Sequence, residues 1–149
     1  MDMGKRVAVI TGGASGIGRA VAAAMARRGI AAVALVDMSE AVEDVAAKLN
    51  AEAGRTFAVP FQGDTTDPKF RASVFDAMQG RYGAVTMCVP AAGITRDDLA
   101  VRIDKASGKA RIYPLEQFRL VVEVNLIAPV YWALEMIGRI AEDRAARGL

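Results

Sequence analysis

Along the chain, short apolar runs alternate with stretches whose apolar residues recur at helical spacing. Arg6 to Thr11 is an apolar run that ends at glycines, and from Gly16 onward Ile17, Val21, Ala24 and Met25 repeat on one helical face, which predicts a strand, a glycine-rich turn and a helix. Ala32 to Asp37 predicts a second buried strand, followed by Ser39 as helix N-cap and by Val42, Val45, Ala46 and Leu49 on one face. Arg55 to Gln62 predicts a third strand. After it, Asp67 and Pro68 form an N-cap and first-turn pair for a helix that carries Phe70, Val74, Phe75 and Met78 inward. Ala84 to Val89 predicts a fourth strand, Ala91 to Gly93 a small-residue turn, and Ile94 to Tyr113 a long polar connection with a turn signal at Ser107-Gly108-Lys109. From Leu115 to about Arg147 a long helical pattern is expected to kink at Pro129.

Uniformly apolar strands separated by helices predict a parallel sheet covered on both faces, a doubly wound α/β architecture in one domain spanning residues 1–149. The chain stops at Leu149 after a helix, so the fourth strand is expected at an open sheet edge and the fold to lack its C-terminal half. The 53% hydrophobic content is enough for one aliphatic core. Nineteen basic against 17 acidic residues, with no basic stripe, argue against a nucleic-acid partner. A lone cysteine, Cys88, and no histidine leave neither an internal disulfide nor a metal-ligand spacing, which fits a reducing cytoplasm. The four apolar residues before Thr11 are too few for a signal segment or a membrane span.

The chemistry is concentrated in Thr11-Gly12-Gly13-Ala14-Ser15-Gly16-Ile17-Gly18. A pyrophosphate needs exposed backbone N–H groups at a helix N-terminus with no Cβ in the way, which Gly12 and Gly16 satisfy, and Gly18 would let the helix pack tightly on the sheet. Glycines also serve tight strand-to-helix turns for steric reasons alone. What favours a dinucleotide is the context: the turn joins a strand to a helix, and about twenty residues later Asp37 ends the second strand, where an acid accepts bonds from the adenosine ribose hydroxyls. A carboxylate there repels a 2′-phosphate and neither Ala14 nor Ser15 supplies a cation, so NAD is expected rather than NADP. No Gly-Lys-Ser/Thr occurs, which excludes a Walker loop.

Thr11-Gly12-x-x-x-Gly16-x-Gly18 resembles the fingerprint of the short-chain dehydrogenase/reductase family, short subgroup. Asp64 resembles the family aspartate that contacts the adenine ring, Val89-Pro90-Ala91-Ala92-Gly93 sits where the family has Asn-Asn-Ala-Gly, and Val124-Asn125-Leu126 matches its helix asparagine. The resemblance covers nearly the whole chain. It implies a Rossmann fold that holds NAD through Gly12, Ala14, Ser15, Gly16, Ile17, Gly18, Asp37, Met38, Asp64, Thr65, Ala91, Ala92 and Gly93, with Asn125 at the proton-relay position and no metal. Two departures stand out: Pro90 and Ala91 replace two amides, and the connection to Asn125 is longer than usual, with an insertion near 97–113 whose Lys105 to Tyr113 stretch is expected to form a surface hairpin or flap.

The family's catalytic tyrosine is followed four residues later by a lysine, whereas Tyr82, Tyr113 and Tyr131 are followed by Thr86, Gln117 and Glu135. The resemblance therefore implies an oxidoreductase passing hydride between NAD(H) and a secondary alcohol or ketone, with its serine, tyrosine and lysine absent from these residues. Gly93-Ile94-Thr95-Arg96-Asp97 is similar to 3-oxoacyl-[acyl-carrier-protein] reductases, and the loop ending at Leu115-Glu116-Gln117-Phe118 is similar to short-chain 3-hydroxyacyl-CoA dehydrogenases, which implies a 3-oxo or 3-hydroxy acyl thioester. A non-catalytic NAD-binding module and a methyltransferase are the alternatives. The helix containing Asn125, with Val121, Val122, Leu126, Val130, Trp132 and Met136, is more apolar than a singly packed helix needs, so either a second copy of the chain or an absent second half is expected on it.

Overall fold

The computed structural model describes residues 2–149. A short 3-10 turn at Met3–Lys5 leads into β1 (Val7–Thr11), then α1 (Gly16–Arg27), β2 (Ala32–Asp37), α2 (Ala41–Ala53), β3 (Ala58–Gln62), α3 (Pro68–Tyr82) and β4 (Val85–Pro90). A hairpin of β5 (Val101–Ile103) and β6 (Ala110–Ile112) precedes a long helical stretch made of α4 (Leu115–Val122), a π-helical turn at Glu123–Ile127 and α5 (Ala128–Ala146). The four long strands form one parallel sheet in the order β3-β2-β1-β4, the doubly wound α/β arrangement expected, with β4 at an edge.

Side-chain alternation on buried strands divides the core into two. Ala8, Ile10, Val33 and Leu35 face α1 and α2, where Ala22, Met25, Val42 and Leu49 meet them. The intervening residues Val7, Val9, Ala34 and Val36 face α3 and α5, packing with Val74, Phe75, Met78 and Trp132. Trp132 is fully buried, its ring lies 5.7 Å from that of Phe75, and its indole N–H donates to the Thr65 carbonyl at 2.9 Å. This residue is therefore core and is not available to an oligomer surface as the apolar run suggested.

Local chemistry sets several boundaries. The Asp67 carboxylate accepts from the Lys69 N–H at 2.8 Å with Pro68 at the first helical position, as expected. Ser39 accepts from the Ala41 N–H at 3.2 Å, but helix α2 starts only at Ala41, with Glu40 at the cap position. Strand β3 begins at Ala58 rather than Arg55, because the Asn50 side chain takes the N–H groups of Phe57 and Ala58 at 2.9 and 2.8 Å and gives its own N–H to the Ala58 carbonyl. Those bonds use the preceding residues to turn the chain from α2 into the sheet. Strand β4 is displaced by one residue from the expected span and carries a register shift where Val7 pairs with Val85 and Ala8 with Met87, leaving Thr86 unmatched.

The irregularity expected at Pro129 lies one turn earlier. Proline has no N–H for the carbonyl four residues back, that of Asn125, and its ring crowds it; the helix accommodates this by widening into the π turn at Glu123–Ile127. The whole stretch Leu115–Ala146 is long and apolar enough to cross a membrane by length and composition. It is tied to the domain through Trp132 and through Arg139, which bonds Asp76 on α3 at 2.7 Å.

Candidate functional site

Strands β1 and β2 end side by side, and the turn after β1 reaches across to β2: the Gly13 N–H donates to the Val36 carbonyl at 3.0 Å. Gly12 has φ +68° and approaches the Ala91 carbonyl so closely that a Cβ would stand 2.7 Å from its oxygen. A Cβ on Gly18 would overlap the Gly12 carbonyl, which explains why helix α1 can sit directly against the turn. Gly16, φ +49°, differs: a Cβ there would meet nothing within 4 Å and would project into open space. Ser15 precedes the helix in extended conformation without making a side-chain cap bond, and no acid occupies the first turn. The first N–H groups of α1 are thus left to an external acceptor, at the positive end of the helix dipole.

Asp37 closes the other side. Its Oδ2 accepts from the Ala14 N–H and its Oδ1 from the Ser39 N–H, both at 3.0 Å, so the carboxylate is held in one orientation while each oxygen keeps a lone pair for further donors. Opposite, the turn after β4 is fastened to β1: the Ala91 N–H donates to the Thr11 carbonyl and the Ala92 N–H to the Thr11 hydroxyl, both at 3.2 Å. Replacing two amides by Pro90 and Ala91 has left this turn in place, with Pro90 serving as the last residue of β4.

Together these elements enclose a cleft of about 460 Å³. Ten of the expected cofactor residues line it: Gly12, Ser15, Gly16, Ile17, Asp37, Met38, Thr65, Ala91, Ala92 and Gly93. The other three stand behind or beside it. Ala14 orients Asp37, Gly18 is packed under the turn, and Asp64 accepts from the Thr66 N–H and hydroxyl at 2.8 Å. Two lining residues, Ile94 and Val124, were not anticipated; neither belongs to a glycine or acid motif, and only the meeting of the post-β4 loop with the π turn brings them in.

Asn125 makes that meeting. Its side-chain amide donates to the Ile94 carbonyl and its Oδ1 accepts from the Ile94 N–H, both at 2.8 Å, so it clamps the loop to the helix across 31 residues of sequence. Its side chain thus bonds a distant loop and not the backbone of its own helix. Beyond the clamp lies a second cavity, about 750 Å³, between the β5–β6 hairpin and α4. The hairpin runs over residues 101–112, slightly earlier than the Lys105 to Tyr113 stretch anticipated. It turns on Asp104, whose carboxyl is held below its usual range by hydrogen bonds from Ser107. Cys88, in β4, is pushed up to about 11 by burial, which keeps its thiol neutral and unreactive. Among the described residues no group of acids, histidines and cysteines could hold a metal ion.

The sequence and the fold recur in known proteins. The chain is 36% identical over 124 residues to cis-4-hydroxycyclohexanecarboxylate dehydrogenase of Sinomonas cyclohexanicum, covering 82% of this chain and 44% of that one. It is 29% identical over 126 residues to 3-oxoacyl-[acyl-carrier-protein] reductase of Escherichia coli, covering 85% and 46%. A short-chain type dehydrogenase/reductase from Mycobacterium marinum superposes with a TM-score of 0.72 at 29% identity, covering 91% of this chain and 50% of that one. The chain spans about half the length of these relatives. The model of the short chain dehydrogenase family matches residues 6–147, which sets the methyltransferase alternative aside, and the chain belongs to that family.

Proposed function

We propose that this chain holds NAD(H) in the cleft between the glycine turn and Asp37, and that it forms the cofactor half of an oxidoreductase acting on a secondary alcohol or ketone. The observation that carries the reading is the pairing of an uncapped α1 N-terminus with a pre-oriented carboxylate at the end of β2, one suited to a pyrophosphate and the other to ribose hydroxyls. The open space at Gly16 supports it, since the cradle needed for a phosphate is what a side chain would fill. When bound, the cofactor would supply or accept the hydride. Asn125 would fix the loop that separates it from substrate.

NAD is preferred over NADP because the Asp37 charge opposes a 2′-phosphate and no cation stands at residues 14 or 15. None of the three tyrosines has a lysine four residues on, so the chain by itself binds without turnover. Substrate class follows the relatives: a hydroxy or oxo acid, as the free carboxylate or as a thioester. A second copy of the chain pairs along the π turn and α5, where Leu126, Leu134 and Ile137 are exposed. The lone neutral thiol of Cys88 suits a reducing cytoplasm.

Isothermal titration with NAD+ and NADP+ tests the cofactor assignment. NAD+ is expected to bind more tightly, and Asp37→Asn to weaken NAD+ by about tenfold while narrowing the preference, because a charge-assisted bond is lost. Equal binding of the two cofactors, or no binding, would reject it.

A further inference from the structure

We infer that Arg96 is the carboxylate anchor of a substrate subsite in the cavity between the hairpin and α4, and that the chain's substrate is a compact apolar hydroxy or oxo acid carrying a free carboxylate. The inference deepens the function proposed above and rests on it for the position of the reacting carbon.

Three observations converge. First, the two cavities adjoin. Ile94 lines both, while the neighbours Val124 and Asn125 line one each, so a molecule filling the second cavity abuts whatever fills the first. Second, the walls are aliphatic and aromatic, with Ile112, Leu115, Phe118 and Val121 prominent, and the volume of about 750 Å³ lies in the range of small-molecule sites. Third, the lining holds a cation with donors to spare. Arg96 forms no ion pair among the described residues, and only one of its N–H groups is engaged, on the Thr95 carbonyl at 2.7 Å.

The local charge balance leaves Arg96 available. The nearby arginines Arg102 and Arg111 face each other across the hairpin and both bond Asp98, at 2.7 and 2.9 Å, so that acid is committed to offsetting a like-charged cross-strand pair. Asp97 is the other acid of the lining; with Asp98 committed to Arg102 and Arg111, which stand outside the lining, Arg96 is the cation that faces the cavity. The backbone of Arg96 is also fixed: the Tyr113 hydroxyl donates to its carbonyl, and two residues earlier Asn125 clamps Ile94. A guanidinium on a pinned backbone, beside an apolar wall, matches a carboxylate bidentately, whereas the thioester group itself carries no charge.

The test titrates the full chain, with and without NAD+, using 4-hydroxycyclohexanecarboxylate, its methyl ester and a 3-hydroxybutyryl thioester of N-acetylcysteamine. The acid is expected to bind more tightly than the ester. Arg96→Met should weaken the acid by about tenfold or more, leave the ester and NAD+ unchanged, and be partly rescued by Arg96→Lys. Acid and ester binding alike, an acid affinity indifferent to Arg96→Met, a thioester binding more tightly than the acid, or no ligand binding at all would overturn the inference. Failure of the wild-type chain to bind NAD+ would reject the proposed function, and the titrations without NAD+ would still decide the role of Arg96.

Discussion

The strands β1 and β2 before Ile94 and the hairpin with α4 after it are built in opposite ways. Before it, β1 is buried along its whole length and β2 everywhere but at Asp37. After it, all six residues of β5 and β6 are exposed and α4 has no buried residue. The first region derives its geometry from packing, since a turn squeezed between Leu35 and the Ala91 backbone has one conformation open to it. The second derives its geometry from a few polar clamps, namely Asn125 on Ile94, Tyr113 on Arg96, and Asp98 on two arginines. A cleft made by the core and a cavity made by clamps on a surface loop would be expected to vary independently.

Substitutions on the two sides break or sharpen this contrast. The largest effect is expected at Leu35, fully buried against α1, α2 and the glycine turn: Leu35→Ala should cost about 2–5 kcal/mol in urea unfolding, through lost burial and the cavity left behind. A loss under 1 kcal/mol would mean that the first region is not packing-controlled. At the junction, Asn125→Ala removes two hydrogen bonds and should cost about 1–3 kcal/mol, with faster hydrogen exchange at the Ile94 amide as its local signature. Unchanged exchange there would show that the loop is held by something other than the clamp. The smallest effect belongs to the hairpin, where Val101→Ser, at a residue 57% exposed, should stay within about 0.5 kcal/mol. A larger loss would reveal that the exposed hairpin face is covered in solution, and sedimentation would identify a second copy as the cover.

The same contrast governs what could be read in advance. Strands β1 and β2 were legible almost to the residue because a strand buried on both faces must be continuously apolar, and only a parallel sheet between helices demands that. The start of β3 was not, since Arg55, Thr56 and Phe57 fit a strand by composition while the Asn50 side chain, eight residues before Ala58, claims the backbone there. Asp37 and the glycines were legible because their chemistry leaves few substitutes. Ile94 and Val124 carry no such signature, and Arg96 looked like any surface arginine until its neighbours were seen to be paired with one another.

The amino-acid sequence by itself determined the alternation of strands and helices, a sheet covered on both faces and the residue types of the glycine turn. Each of these follows from periodicity or from a steric demand that only glycine meets, and both act over a few residues. Tertiary structure alone decided that Trp132 is core rather than surface, that Asn125 bonds a loop 31 residues away rather than its own helix, and that two cavities share a wall at Ile94. Those outcomes depend on which distant groups are left without partners once the sheet has assembled, and polar pairing at that range has no imprint on the local pattern.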